Sequence, residues 1–416
     1  MHDPAATHKP MRQDDKKNHV FVARQPIYDI ELEVYGYELL YRGSGGQAGA
    51  QVEDADLATS QVMLNTYMEI GLERLVGLRK AFINIPRSFI DGSLDIPLSK
   101  RQVVLEVLED VAPDAEVIAG LEELAKRGFA LALDDFIYHE SLEPLIELAD
   151  LIKLDIQQVN RDELQHIVRK LKKRGVRLLA EKIETQEEFQ FCKGLGFDYF
   201  QGYFLARPSL ISKKKLPNNK LVNLQLLGRL QEPDVSFEEL GELVSKDPSL
   251  SIKLLNYINS PVFGLAKPVS SIYRALELLG LNTLKRWVAV LVLFGLSDKP
   301  SEVFRTALIR AKLCESIAER LNRPNADEYF VLGLFSLLDV LLDNTMEEVL
   351  GLVKLPGNLA AALLAFEGEE GEVLAMVLAY EQADWEAVAS LGLAEDVLTG
   401  HYLDALQWAE EAMVDI

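Results

Sequence analysis

Phe129-Ala130-Leu131-Ala132-Leu133-Asp134-Asp135-Phe136 is an apolar run without alternation, closed by two adjacent aspartates. Apolar residues at successive positions mark a strand buried on both faces, as in a parallel sheet covered by helices. Similar runs lie on either side of it, at His19 to Arg24, Glu33 to Tyr41, Ala81 to Ile85, Val103 to Leu108, Leu151 to Leu154, Arg177 to Ala180 and Phe197 to Phe204. Between several of them, Ala55 to Val76, Ala115 to Arg127, Arg161 to Lys173 and Gln186 to Leu195 carry apolar residues at helical spacing. Strands alternating with helices in this way predict an α/β architecture, a (β/α) barrel over residues 19–209.

In such a barrel the C-terminal ends of the strands converge on one face, so polar side chains there have a meaning they lack elsewhere. Late strand positions carry Glu38, Asn84, Glu106, Asp134, Asp135, Lys153 with Asp155, Glu181 with Glu184, and Gln201. Taken singly, each is an ordinary strand-end or helix-capping residue. Together they place many carboxylates in one mouth, where they repel unless divalent cations neutralise them, and hard oxygen ligands favour magnesium or manganese. Asp134 and Asp135 can each serve one of two ions about 3.5 to 4 Å apart, the two-metal arrangement of phosphoester hydrolysis. The expected chemistry is in-line attack of water, with Lys153 a fixed cation beside the phosphate and Glu181 binding metal and activating the water. Arg42 fits a phosphate contact. Tyr37, Tyr203 and Phe204 read as packing residues, and His139 as a loop residue.

The chain has 416 residues, more than one ordinary core needs, so two domains are expected. With 43 Lys and Arg against 65 Asp and Glu, the net charge of −22 repels long nucleic acids. Residues 1–18 read as a polar, disordered leader with no apolar core, and no run is long and apolar enough to span a bilayer, so a cytoplasmic protein is expected. Cys192 and Cys314 fall in different halves and read as buried thiols. Past Pro208 a stretch rich in lysine, proline and asparagine, residues 210–220, reads as a linker. From 221 to 416 the pattern is helix after helix, broken at Asp247, Ser260, Lys267 and Arg323, each before a proline. The second domain is therefore expected to be all-helical.

Gln25-Pro26-Ile27 and Gly36-Tyr37-Glu38-Leu39-Leu40-Tyr41-Arg42 resemble the opening of EAL-domain cyclic di-GMP phosphodiesterases, with Glu-Leu-Leu as the signature here. The resemblance continues through Ile83-Asn84, Leu105-Glu106-Val107-Leu108-Glu109, Leu133-Asp134-Asp135-Phe136, Ile152-Lys153-Leu154-Asp155, Ala180-Glu181-Lys182-Ile183-Glu184-Thr185 and Phe200-Gln201-Gly202-Tyr203. It covers His19 to Pro208 and implies a TIM-like (β/α)8 barrel hydrolysing cyclic di-GMP to pGpG with magnesium or manganese. On this resemblance Glu38, Asn84, Glu106 and Asp134 bind one ion and Asp135 the second, while Lys153, Glu181, Glu184 and Gln201 complete the site. Gln25, Leu40, Arg42, Asp155, Glu184 and Gln201 are the implied substrate contacts. Two places depart from the family: Ile137-Tyr138-His139-Glu140-Ser141-Leu142 replaces a glycine-rich loop, and Lys182 stands where glycine is common, either pairing with Glu181 or pointing away. The loop change leaves a second reading open, a non-enzymatic cyclic di-GMP receptor or protein-interaction scaffold. The retained carboxylates favour the enzyme.

The C-terminal half resembles the HDOD family through Asp247-Pro248-Ser249-Leu250, Asn259-Ser260, Phe263-Gly264, Ala275-Leu276-Glu277-Leu278-Leu279-Gly280, Trp287 and Gly333-Leu334-Phe335-Ser336-Leu337-Leu338-Asp339. Metal-dependent HD phosphohydrolases would place a His-Asp pair where Ser336 and Leu337 stand, and His401 is the only histidine after residue 208, so no histidine-rich metal site can form. The resemblance implies a non-catalytic regulatory domain that engages a signalling protein, and the EAL resemblance implies homodimers paired through barrel helices.

Overall fold

The structure is a computed structural model that describes residues 20–43, 67–68, 70–109, 111–205, 218–232, 234–260, 263, 265, 268–296, 299–390 and 395–414. The leader, most of the helix expected at Ala55 to Val76, residues 210–217 of the linker, and Lys267 lie outside these.

Eight strands close into a barrel in sequence order: β1 (Val20–Tyr28), β2 (Val34–Gly43), β3 (Lys80–Ile85), β4 (Val103–Val107), β5 (Ala130–Leu133), β6 (Leu151–Asp155), β7 (Arg177–Glu181) and β8 (Tyr199–Gln201). The strands from β2 to β8 pair in parallel, but β1 runs antiparallel to both β2 and β8. The reason is local. Between Tyr28 and Val34 the chain makes a tight turn in which the Asp29 carboxylate accepts from the N–H groups of Glu31 and Glu33, both at 3.0 Å, and Leu32 takes φ 64°. A connection that short cannot hold the crossover that parallel neighbours require.

Elsewhere the intervening helices start and stop where the residues dictate. The Asp114 side chain accepts from the N–H groups of Glu116 and Val117 to cap Ala115–Arg127, which ends at Gly128 with φ 92°. Thr185 and Glu188 form a capping box for Gln186–Leu195. β5 is shorter than the apolar run that announced it: Asp134 N–H still donates to Val107 O of β4 at 3.0 Å, and Asp135 then turns to φ 41°. That turn brings both aspartates to the rim.

Because a hairpin joins β1 to β2, their outer faces have no barrel helix between them, and the helical half supplies the cover. It begins with Asn218–Leu230, and three of its helices, Ser301–Arg320, Gly368–Glu381 and Glu395–Val414, reach this wall. Tyr380 Oη donates to Val22 O at 2.8 Å. The Arg24 guanidinium lies 4.0 Å over the Tyr37 ring, and Tyr37 Oη donates to both carboxylate oxygens of Glu302 at 3.0 and 3.1 Å. Glu302 also accepts from Arg305 Nε at 2.8 Å, and Arg24, Glu302 and Arg305 are all buried. The apolar core is contiguous from the barrel into the helices. Within the helical half, Gly333 lets Ala326–Phe335 press against Ser301–Arg320, since a Cβ there would sit 2.3 Å from Arg310 O. Cys192 and Cys314 are free and buried. No described helix is long and apolar enough to cross a membrane.

Candidate metal centre at the barrel mouth

Lys153 of β6 is wholly buried and organises the mouth. Its Nζ lies 3.1 Å from Glu38, 2.8 Å from Glu106, 2.7 Å from Asp134 and 3.0 Å from Glu181, one ammonium among four carboxylates drawn from β2, β4, the end of β5, and β7. Burial lowers the basicity of Lys153, but Glu106, Glu38, Glu181 and Asp134 outweigh it and hold the ammonium well above its usual range. The buried carboxylates are raised as well, which for them disfavours the charged form. Burial pushes Glu106 well above the ordinary range and raises Asp134, while Glu181 is pushed up to about 8, chiefly by burial, with Lys153 opposing. One cation is thus too few for the cluster.

The unused hydrogen-bonding capacity points the same way. Asn84 Oδ1, Glu106 Oε2 and Glu181 Oε2 are buried without a hydrogen-bond partner, and Glu106 Oε1 has only its ion pair with Lys153 at 2.8 Å. Buried acceptors left in that state are costly, about 1–3 kcal/mol each. Glu38, Glu106 and Asp134 each offer an oxygen within 4.8 Å of the others, the one such group among the described residues. An all-oxygen set of this kind, with the Asn84 carbonyl at the same strand level as Glu106, fits a hard divalent ion.

Gln201 of β8 donates from Nε2 to Glu38 Oε2 at 2.7 Å and to Gln25 Oε1 at 3.0 Å, and Gln25 donates to Tyr203 Oη at 3.4 Å. Gln25 and Gln201 thereby fix the orientation of Glu38. Tyr203 is partly exposed and Phe204 is buried, stacked on Phe189 at 5.0 Å. Leu40 is half-buried and packs against the core. The Arg42 side chain lies outside the described ones. The N–H of Glu184 donates to Glu188 at 2.9 Å, at the threshold of the helix that Thr185 caps.

Sequence reasoning left the direction of Lys182 open, and the structure turns it away from Glu181. Lys182 has φ 56°, and its Nζ lies 2.6 Å from Asp155 Oδ2 and 3.3 Å from Asp135 Oδ1. Asp155 also accepts from Gln157 N–H at 2.8 Å and Gln158 Nε2 at 3.1 Å, while Gln157 Nε2 holds Lys182 O at 3.0 Å. Asp135 and Lys182 are both left-handed without being glycine, a backbone cost of about 1–3 kcal/mol each that persists only where surrounding contacts impose it. The bracing by Gln157 and Gln158 was missed from sequence, because two glutamines after a strand carry no pattern of their own.

The segment that replaces the glycine-rich loop forms a short helical turn, Glu140–Leu142, capped by His139 Nδ1, which accepts from Ser141 N–H at 3.3 Å. Beside it opens a cavity of about 380 Å³ that Glu109, Asp134, Asp135 and Ile137 help to line. In the helical half, Ser336 Oγ accepts from Arg310 Nη1 at 3.1 Å and donates to Gly333 O at 2.7 Å, and Arg310 pairs with Glu381 at 2.7 Å. A serine and an ion pair fill the place where a metal dyad would stand.

A barrel whose strand ends carry an acidic oxygen cluster, followed by a helical domain with none among its described residues, defines a class, and the known families agree. Residues 10–208 match the EAL domain and residues 216–353 the HDOD domain. The chain is 35% identical over 405 residues to the uncharacterized protein YuxH of Bacillus subtilis (strain 168), covering 95% of this chain and 99% of that one. It is 31% identical over 406 residues to the cyclic di-GMP phosphodiesterase CdgJ of Vibrio cholerae, covering 96% and 94%. A solved structure, Klebsiella pneumoniae BlrP1 with manganese and cyclic di-GMP, is 24% identical over 45% of this chain and 55% of that one, with a TM-score of 0.36. This chain belongs to the family of proteins that join an EAL domain to an HDOD domain.

Proposed function

We propose that this protein is a cyclic di-GMP phosphodiesterase that hydrolyses the cyclic dinucleotide to pGpG, with residues 19–209 as the catalytic barrel and 221–416 as a non-catalytic regulatory domain. The observation that carries the reading is the gathering of Glu38, Glu106, Asp134 and Glu181 around Lys153, with buried oxygens left unpartnered. A phosphodiester is an anion, and this mouth repels anions unless a cation sits in it. Its family relative CdgJ carries the same activity in its name.

Glu38, Asn84, Glu106 and Asp134 would hold a magnesium or manganese ion. When bound, such an ion neutralises the carboxylates, polarises the phosphoryl oxygen and makes water more acidic. Gln201 and Gln25 set the angle at which Glu38 presents its oxygens. Lys153 places a buried positive charge where negative charge grows on the phosphoryl group, in a medium that strengthens the attraction. Glu181 accepts the attacking water's proton on Oε2, its unpartnered oxygen, because burial brings its affinity for protons close to neutrality. Leu40, Arg42 and Glu184 complete the substrate-facing rim in this reading.

The test is turnover of cyclic di-GMP by the full chain with manganese or magnesium, beside Glu38→Ala and with direct binding measured in parallel. Metal-dependent pGpG that the variant fails to make supports the reading. Binding without turnover makes the protein a receptor and overturns it.

A further inference from the structure

A second divalent ion beside the first needs the carboxylate of Asp135, and another cation already faces it. The Lys182 ammonium stands 3.3 Å from Asp135 Oδ1 and is anchored at 2.6 Å to Asp155, which is about nine-tenths buried. Asp155 is fixed in turn by Gln157 and Gln158, and Gln157 also grips the Lys182 carbonyl, so the ammonium is held from both its tip and its backbone. Asp135 and Lys182 both leave the usual backbone regions, and both do so at strand ends where their side chains meet.

We infer that the ammonium of Lys182 takes the electrostatic place of a second divalent ion at Asp135, so that the mouth binds one ion tightly and supplies the second charge from its own chain. The inference rests on reading Glu38, Asn84, Glu106 and Asp134 as an ion site. In this arrangement Lys153 serves the inner cluster and Lys182 the rim, and Asp155 acts as a positioning residue for Lys182. A tethered cation costs no ordering of a free ion, and it cannot be removed by a chelator. It also repels a second divalent ion across a few ångströms, where like charges interact strongly.

Metal content decides the matter without reference to rate. The full chain, Lys182→Gly and Lys182→Gln are stripped with chelator, equilibrated with manganese, desalted and assayed for manganese per chain; titration calorimetry and electron paramagnetic resonance are run on each. Glycine adopts the left-handed backbone without strain, and glutamine, a little shorter than lysine, keeps a polar side chain and the non-glycine backbone while losing the charge, so the two variants separate charge from conformation. The expected result is one ion in the parent chain and two in both variants, with a spin-coupled pair of manganese ions visible only in the variants and the second ion bound at least about tenfold more tightly than in the parent. Two tightly bound ions in the parent chain, or unchanged second-ion affinity in both variants, overturn the inference. Cyclic di-GMP turnover measured on the same samples keeps the failures apart. Two ions with turnover refute the role of Lys182 and leave the phosphodiesterase standing; one ion with no turnover refutes the phosphodiesterase and leaves the ion count standing.

Discussion

Glu302 is where the helical half meets the barrel, and its loss should be felt across the whole chain. The residue is 4% exposed, and it accepts two contacts from Tyr37 Oη at 3.0 and 3.1 Å and one from Arg305 Nε at 2.8 Å. Glu302→Ala leaves Arg24 and Arg305, each 8% exposed, with one counter-charge fewer in a buried setting. Removing one partner of a buried ion pair costs about 3–5 kcal/mol. Arg305 retains Glu410, whose side chain is 49% exposed, so the lower end of that range is expected. Tyr37→Phe removes a single hydrogen bond to a charged acceptor, about 1.5–3 kcal/mol. In the double variant the second substitution should cost almost nothing, giving a coupling close to the whole tyrosine value. Urea denaturation of the parent, both single variants and the double variant, followed by circular dichroism, measures all four corners. Strict additivity, or a loss under about 1 kcal/mol for Glu302→Ala, would refute the account of this contact as a buried, desolvated pair.

Three further outcomes follow from the site. Lys153→Met should lower turnover by roughly 100-fold or more while manganese binding persists, because the variant removes a preorganised charge but no oxygen ligand; unchanged kcat sinks its proposed role. The metal-free protein should lose stability as pH rises. Glu181 is pushed up to about 8, and Glu106 and Asp134 are raised too, so the folded state holds protons that the unfolded state has already released, and this contribution, full at acidic pH, disappears as pH climbs from the ordinary carboxylate range through about 8. Thermal melts in chelator should therefore fall between neutral and alkaline pH, and added manganese should reverse the fall; a flat profile would contradict it. Ser336→Ala should leave turnover unchanged, since Ser336 is bonded to Arg310 and Gly333 and to none of the carboxylates around Lys153; abolished turnover would move the active site.

The barrel was legible because buried strands advertise themselves as unbroken apolar runs, and the carboxylates because each interrupts such a run at its end. What escaped notice depended on contacts between distant positions or on backbone turns that no residue type announces. The antiparallel course of β1 lay in the Asp29 to Glu33 turn, where one aspartate side chain organises two N–H groups. Tyr37 read as a packing residue, and it is buried, but its hydroxyl is committed to a residue 265 positions away. The early end of β5 and the aim of Lys182 both follow from positive φ at residues other than glycine, which sequence patterns do not reveal. The unpartnered oxygens of Asn84 and Glu106 became visible only once their neighbours were in place.

The hairpin wall also sets an order of events during biosynthesis. Tyr37 and its strand leave the ribosome 265 residues before Glu302 does, an interval of roughly 13–50 s at about 5–20 residues per second. Throughout it the nascent barrel carries an apolar flank whose cover has yet to be translated. Such a chain calls for chaperone shelter while it waits, and cutting the gene after the barrel would make the wait permanent, leaving an aggregation-prone fragment in place of an autonomous enzyme.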